Sequence, residues 1–201
     1  MAAMYDWPMA YTPATALIVV DVQNDFADPS GSLYVSGGET TVPFINDQIA
    51  GAGEAHATVV YTRDWHPPST PHFAKDGGIW PVHCVGETWG SEFHPNLVVD
   101  GQEIRKGTGG EDGYSGFTVR DPVSGVESST DLESLLREAG VTDVVVVGLA
   151  TDYCVKETAL DAARLGFSTV VLADGVRAVN LSPGDGSRAI AKMAKAGVAI
   201  R

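Results

Sequence analysis

Three runs, "ALIVVDV" at 16–22, "ATVVYTRD" at 57–64 and "DVVVVGLA" at 143–150, are dense in β-branched residues and lack polar alternation. A fourth, "STVVLADG" at 168–175, follows soon after. A strand with one wet face alternates polar and apolar side chains. A continuous apolar run instead suits a strand covered on both faces, as in a parallel sheet. Parallel neighbours need long crossover connections, and helical patterns fill the gaps at 42–55, 131–139, 152–165 and 184–196. Gly140 and Gly166 stand where two of these helices should stop. The alternation predicts an open α/β sheet with helices on both faces. A chain of 201 residues can bury one full core, so the expectation is a single domain over 1–201. Residues 1–14 read as an N-terminal extension, and the Gly-, Ser- and Asp-rich stretch 107–129 reads as a long surface loop.

Charge narrows the partners. With 13 basic and 26 acidic residues, the net charge of −13 repels phosphate backbones and anionic headgroups. Nucleic acid and membrane are therefore not expected as partners. No apolar run reaches membrane-spanning length, and the N-terminus lacks the basic and apolar regions of a secretory signal; a cytoplasmic protein is expected. Two cysteines, Cys84 and Cys154, make no disulfide framework, although one bridge between them stays open. So does the choice between monomer and homo-oligomer.

The polar residues that end the runs carry the chemistry. The first run reaches Asp21, the second ends in Asp64, "EIRKG" supplies Lys106, and the third runs into Thr151, Asp152 and Cys154. Ligands of open parallel sheets bind beyond the carboxyl ends of the strands, so all these side chains point to one crevice. Cys154 falls about one turn into a helix that Thr151 or Asp152 would cap. The positive end of that helix should lower the thiol pKa, and its unpaired N–H groups could hold an oxyanion. Asp21 could act as a proton acceptor and Lys106 as its counter-charge. Taken singly, each residue also fits a plain role: a core cysteine, a polar strand end, a surface lysine.

The stretch "RDWHPPSTPHFAKDGGIWPVHC", at 63–84, is richer. Asp64 and His66 share one face of an extended chain, and His72 and His83 follow from a proline-stiffened loop. One carboxylate and three imidazoles suit zinc, manganese or ferrous iron. His56 and His94 look incidental. "GTGGEDG" does not have the form of a phosphate loop.

With these residues assembled, the chain resembles the nicotinamidases of the isochorismatase-like cysteine hydrolase family. "LIVVDVQNDF", "TRDWHPPSTPHF", "WPVHCV", "RKG" and "GLATDYCVKETALDA" match its signatures in order. The resemblance implies a three-layer α/β/α fold around a mostly parallel sheet of about six strands. It implies a triad of Asp21, Lys106 and Cys154, with an oxyanion hole from the backbone N–H groups of Ala150 and Cys154. A cis peptide bond between Leu149 and Ala150 would precede the first of these amides. It further implies one divalent metal ion on Asp64, His66, His72 and His83, zinc first and iron or manganese as alternatives. Phe26 and Trp80 would flank a pyridine carboxamide, and Tyr114 would line the same pocket. The implied reaction is hydrolysis of nicotinamide to nicotinate and ammonia through a cysteine thioester. Alternatives are a related amidase acting on a carbamoyl or maleamate-type amide, or a non-catalytic pyridine-binding protein on the same fold. Tyr153 occupies a position that varies among relatives, and "DPVSGVESS", within 121–129, has no assigned purpose.

Overall fold

The computed structural model describes residues 11–201, so most of the 1–14 extension lies outside the described residues. Its last part is tied down: the Tyr11 hydroxyl donates to Gln48 Oε1 at 3.0 Å, and the Ala14 carbonyl accepts from Thr142 N at 2.9 Å.

The main sheet contains β1 (Thr15–Val20), β2 (Thr58–Asp64), β3 (Gln102–Lys106), β6 (Asp143–Leu149), β7 (Ser168–Arg177) and β8 (Ala199–Ile200). The order is β3-β2-β1-β6-β7-β8, and every pairing is parallel. The four apolar runs account for β1, β2, β6 and β7. All of β1 is buried, as continuous apolar sequence requires.

Alternate residues of the central strands feed two cores. Ile18, Val20, Val144 and Val146 pack beneath α3 (Leu132–Glu138), α4 (Lys156–Arg164) and α5 (Asp185–Lys195). Leu17, Val19, Val145 and Val147 pack on the other side against α2 (Val42–Glu54), Phe26 and the loop residue Val35. These are the three expected layers. A short helix, α1 (Asn24–Ala27), completes the set, and no helix among the described residues is long and apolar enough to cross a membrane.

Three local readings need correction. The strand read as 168–175 continues to Arg177, because its register against β6 slips between Val146 and Gly148. Ala173 and Asp174 are exposed in that bulge. Second, the stretch 107–129 holds an antiparallel hairpin, β4 (Thr118–Arg120) with β5 (Glu127–Ser129). Its inner part, including Ser115 and Phe117, is buried instead of lying on the surface. Third, neither Thr151 nor Asp152 caps the helix. The chain leaves β6 through a π-helical turn, Thr151–Val155, in which Val155 N–H reaches back to the Ala150 carbonyl at 3.1 Å. Asp152 is already inside that wider turn, and its carboxylate instead accepts N–H bonds from Val179 and Asn180 at 2.9 and 2.8 Å.

Candidate active site

β1 and β6 are neighbours whose onward connections run to opposite halves of the sheet. This is a topological switch point, where the crossovers diverge and leave a crevice above the strand ends. Asp21 emerges just after β1, Asp64 ends β2, Lys106 ends β3 and Cys154 lies in the turn after β6. The two central strands approach closely at this level. Gly148, at φ 112°, has so little room that a Cβ would stand 2.1 Å from the Val20 carbonyl oxygen.

Lys106 is the hub. It is wholly buried, and its Nζ donates to Asp21 Oδ2 at 2.7 Å, to Asp64 Oδ1 at 2.7 Å and to the Gly113 carbonyl. Cys154 Sγ lies 3.8 Å from the same nitrogen. The other Asp21 oxygen accepts from the Thr62 hydroxyl at 2.6 Å. Ligand-type atoms of Asp21, Asp64 and Cys154 all lie within 4.8 Å of one another.

The electrostatics follow from burial around one cation. Burial alone would strip Lys106 of its proton, but Asp21 and Asp64 hold its pKa well above the ordinary lysine value. Burial pushes Asp21 up, with Lys106 opposing and Asp64 adding to the rise. Burial also acts on Asp64, yet Lys106 and the neighbouring histidines bring it well below the ordinary carboxylate range. For Cys154 the expectation fails. Burial first, then Asp21 and Asp64, raise its thiol well above its ordinary value despite Lys106. Desolvating a thiolate costs more than one helix end returns, so the thiol is neutral until a base takes its proton.

Ring nitrogens of His66, His72 and His83 converge within 4.8 Å of one another. Asp64 Oδ2 faces two of them, 3.8 Å from His66 Nε2 and 3.9 Å from His83 Nε2. His72 and His83 spend Nδ1 elsewhere, on Asp112 Oδ1 at 2.6 Å and on the Pro81 carbonyl at 2.8 Å, which leaves each Nε2 for the cluster. Burial lowers the pKa of both rings, His83 to about 4, so they stand as neutral imidazoles with lone pairs. His66 is buried with both nitrogens unpartnered. A buried polar atom without a partner is costly, and a cation among these donors would satisfy it. The residues fit a divalent metal ion. Asp64 thus serves two groups, with one oxygen on Lys106 and the other toward the imidazoles.

Beside both groups opens a pocket lined by Phe26, Trp80, Tyr114, Tyr153, Ala150 and Cys154 among others. Its aromatic lining suits a small flat ring compound. Trp80 Nε1 donates to the Tyr114 hydroxyl at 2.7 Å, and Trp80 meets Tyr153 edge to face at 4.9 Å between centroids. The Leu149–Ala150 peptide bond is cis. Cys84 and Cys154 are both free thiols, so no bridge joins them. His56 and His94 stand apart from the cluster.

Several residues of the site were not legible in advance. Leu33, Val35, Val179 and Asp112 carry no motif and reach the site only through the fold, while Thr62 opens the quoted stretch "TRDWHPPSTPHF" but has no role readable there. Gly113 is the subtlest: a Cβ there would sit 2.8 Å from Lys106 Cβ, so the bare backbone lets the ammonium reach its carbonyl. A sequence signal did exist for Asp112, two residues before Tyr114 in the stretch read as loop.

Residues 15–201 match the model of the isochorismatase domain. A nicotinamidase/pyrazinamidase of Mycobacterium tuberculosis is 45% identical over 163 residues, covering 79% of this chain and 84% of that protein. The crystal structure of a Pyrococcus horikoshii pyrazinamidase in complex with zinc superposes with a TM-score of 0.84 at 42% identity, covering 94% of this chain and 99% of the other. The structure of a Leishmania protein, PnC1 from L. infantum in complex with nicotinate, gives 0.85 at 37% identity, covering 97% and 96%. The chain therefore belongs to the isochorismatase family.

Proposed function

We propose that this protein is an amidohydrolase that converts nicotinamide to nicotinate and ammonia, with Cys154 as nucleophile. One observation carries the reading: a buried Asp21–Lys106–Cys154 group opens through Cys154 onto an aromatic pocket beside three convergent histidines. The likeness to a nicotinamidase/pyrazinamidase and to a nicotinate-bound structure supports the substrate.

The neutral thiol becomes a nucleophile only as its proton passes to Asp21, whose burial raises its own proton affinity. The C–S bond forms at the carboxamide carbon, and the carbonyl electron pair moves onto oxygen. Backbone N–H groups of Ala150 and Cys154 receive that oxyanion, each worth about 3 kcal/mol. As the C–N bond breaks, Asp21 returns the proton to nitrogen, ammonia leaves and a thioester remains. Water deprotonated by Asp21 then breaks the C–S bond, giving nicotinate and restoring the thiol. Lys106 stays protonated and balances the two carboxylates throughout. Phe26, Trp80 and Tyr114 hold the ring. A divalent ion on Asp64, His66, His72 and His83, zinc by preference with iron or manganese as alternatives, would supply a Lewis-acidic position for the pyridine nitrogen.

The test is ammonia release from nicotinamide, pyrazinamide, a carbamoyl amide and maleamate, by the wild type and by Cys154→Ala. Turnover of nicotinamide by the wild type and a loss of at least about 10³-fold in the variant are expected. Substantial turnover by Cys154→Ala would replace the thioester with ion-activated water. Tight nicotinamide binding without ammonia release would make the protein a binding module instead.

A further inference from the structure

We propose that Asp112 is the positioning residue for His72: its carboxylate fixes which ring nitrogen faces the histidine cluster, and so sets how tightly the cluster holds a divalent ion. The proposal rests on the reading of Asp64, His66, His72 and His83 as an ion site.

A neutral imidazole carries one donor and one acceptor nitrogen, and only the acceptor can ligate. The three histidines meet this requirement in different ways. His83 donates Nδ1–H to a backbone carbonyl, that of Pro81, at 2.8 Å. His66 has no hydrogen-bond partner at either nitrogen; its ring is held by packing, stacked on His72 with centroids 4.7 Å apart and edge-on to Phe73 at 5.4 Å. Of the three, His72 alone is hydrogen-bonded to a carboxylate, Nδ1 to Asp112 Oδ1 at 2.6 Å. An ionised carboxylate can only accept, so His72 must keep its proton on Nδ1 and present the lone pair of Nε2 inward. Such a partner also raises the basicity of the ligand nitrogen. Because His72 stacks on His66, its orientation bears on the ring that nothing else holds by a hydrogen bond.

Asp112 is built to stay in place. Its side chain is 21% exposed, so burial does not hold it; the backbone does. Asp112 N–H donates to the Arg120 carbonyl at 2.8 Å, and Arg120 N–H donates back to the Asp112 carbonyl at 3.0 Å. The β4–β5 hairpin, which includes the segment that carried no purpose in the sequence, thereby braces the carboxylate. The next two residues hold the other parts of the site, Gly113 through Lys106 and Tyr114 through Trp80. Neighbouring Glu111 does not compete, since its carboxylate accepts from Gly109 N–H at 2.9 Å.

The experiment titrates metal-free full-length protein with Zn²⁺ against a chromophoric chelator at neutral pH. It compares wild type, Asp112→Ala and Asp161→Asn. Asp161 anchors the same loop through Ser115 and Thr118, at 2.7 and 2.9 Å, without touching His72. Asp112→Ala should weaken zinc binding about 10–100-fold, with the metal-free protein melting near the wild type, while Asp161→Asn stays within about twofold of it. If Asp112→Ala lowers the metal-free melting point, Asp112→Leu, of similar volume but unable to accept a hydrogen bond, replaces it and must still weaken zinc binding. Unchanged zinc affinity in the Asp112 variant overturns the proposal, as does an equal loss in Asp161→Asn. A wild type that holds no Zn²⁺ overturns the ion-site reading first, and this inference with it.

Discussion

Replacing Lys106 by Met removes one charge and leaves two. In the folded protein the ammonium donates to Asp21 at 2.7 Å, to Asp64 at 2.7 Å and to the Gly113 carbonyl, with no part of it in contact with solvent. Met fills similar volume, so the loss is electrostatic. Removing one partner of a buried ion pair costs about 3–5 kcal/mol, against a total stability of about 5–15 kcal/mol for a typical domain. With a urea slope of about 2 kcal/mol per molar, the midpoint should fall by about 2 M. The pH dependence follows from sign. Without the cation, burial and mutual repulsion raise both carboxylates in the folded state. A group with a raised folded pKa contributes stability below its unfolded pKa, near 4, and loses it as pH rises through the folded value. The deficit of Lys106→Met relative to wild type should therefore be larger at pH 8 than at pH 5. Urea unfolding of chelator-treated protein at both pH values measures it. A loss below about 1 kcal/mol with no pH trend would falsify the view that Lys106 neutralises the two aspartates.

Two further variants carry expectations. Asp21→Asn should lower ammonia release about 10²–10⁴-fold, because the proton acceptor is gone. The same change should speed alkylation of Cys154 by iodoacetamide, since Asp21 raises the thiol pKa while Lys106 lowers it. The alkylation profile should then shift to lower pH, and a parallel fall in both rates would refute the division of roles. Gly148→Ala should cost about 2 kcal/mol or more, because its φ of 112° and the Val20 carbonyl 2.1 Å from a new Cβ leave no relaxed arrangement. A melting point equal to the wild type would show that β1 and β6 can part at the switch point.

Much of the site was visible before any coordinates because strand ends are legible. A β-branched run that stops at a charged residue marks both the strand and the crevice above it, which is how Asp21, Asp64 and Cys154 came to one place. Lys106 was harder to weigh, since a lone lysine in "EIRKG" is indistinguishable from a solvated one until β3 is placed at the sheet edge beside β2. The thiol was misjudged for a related reason. A helix start argues for a lowered pKa, but desolvation depends on neighbours from β1, β2 and β3, which local sequence does not reveal. The π-helical turn also replaced the expected cap, because its i→i−5 bond to Ala150 leaves no trace in side-chain type.

What the chain determined by itself is everything governed by local periodicity and residue chemistry: the parallel strands, the helices between them, and donor types suited to a thiol nucleophile and a borderline metal ion. Tertiary structure decided what depends on distance across the sheet. It placed Lys106 between two carboxylates, turned the two oxygens of Asp64 toward different partners, left His66 unpartnered, and drew Asp112 from an apparent loop onto His72. Charge interaction and desolvation are set by separation and burial. Neither is a property of any stretch of sequence, so the acid–base character of this site exists only once the strand ends meet.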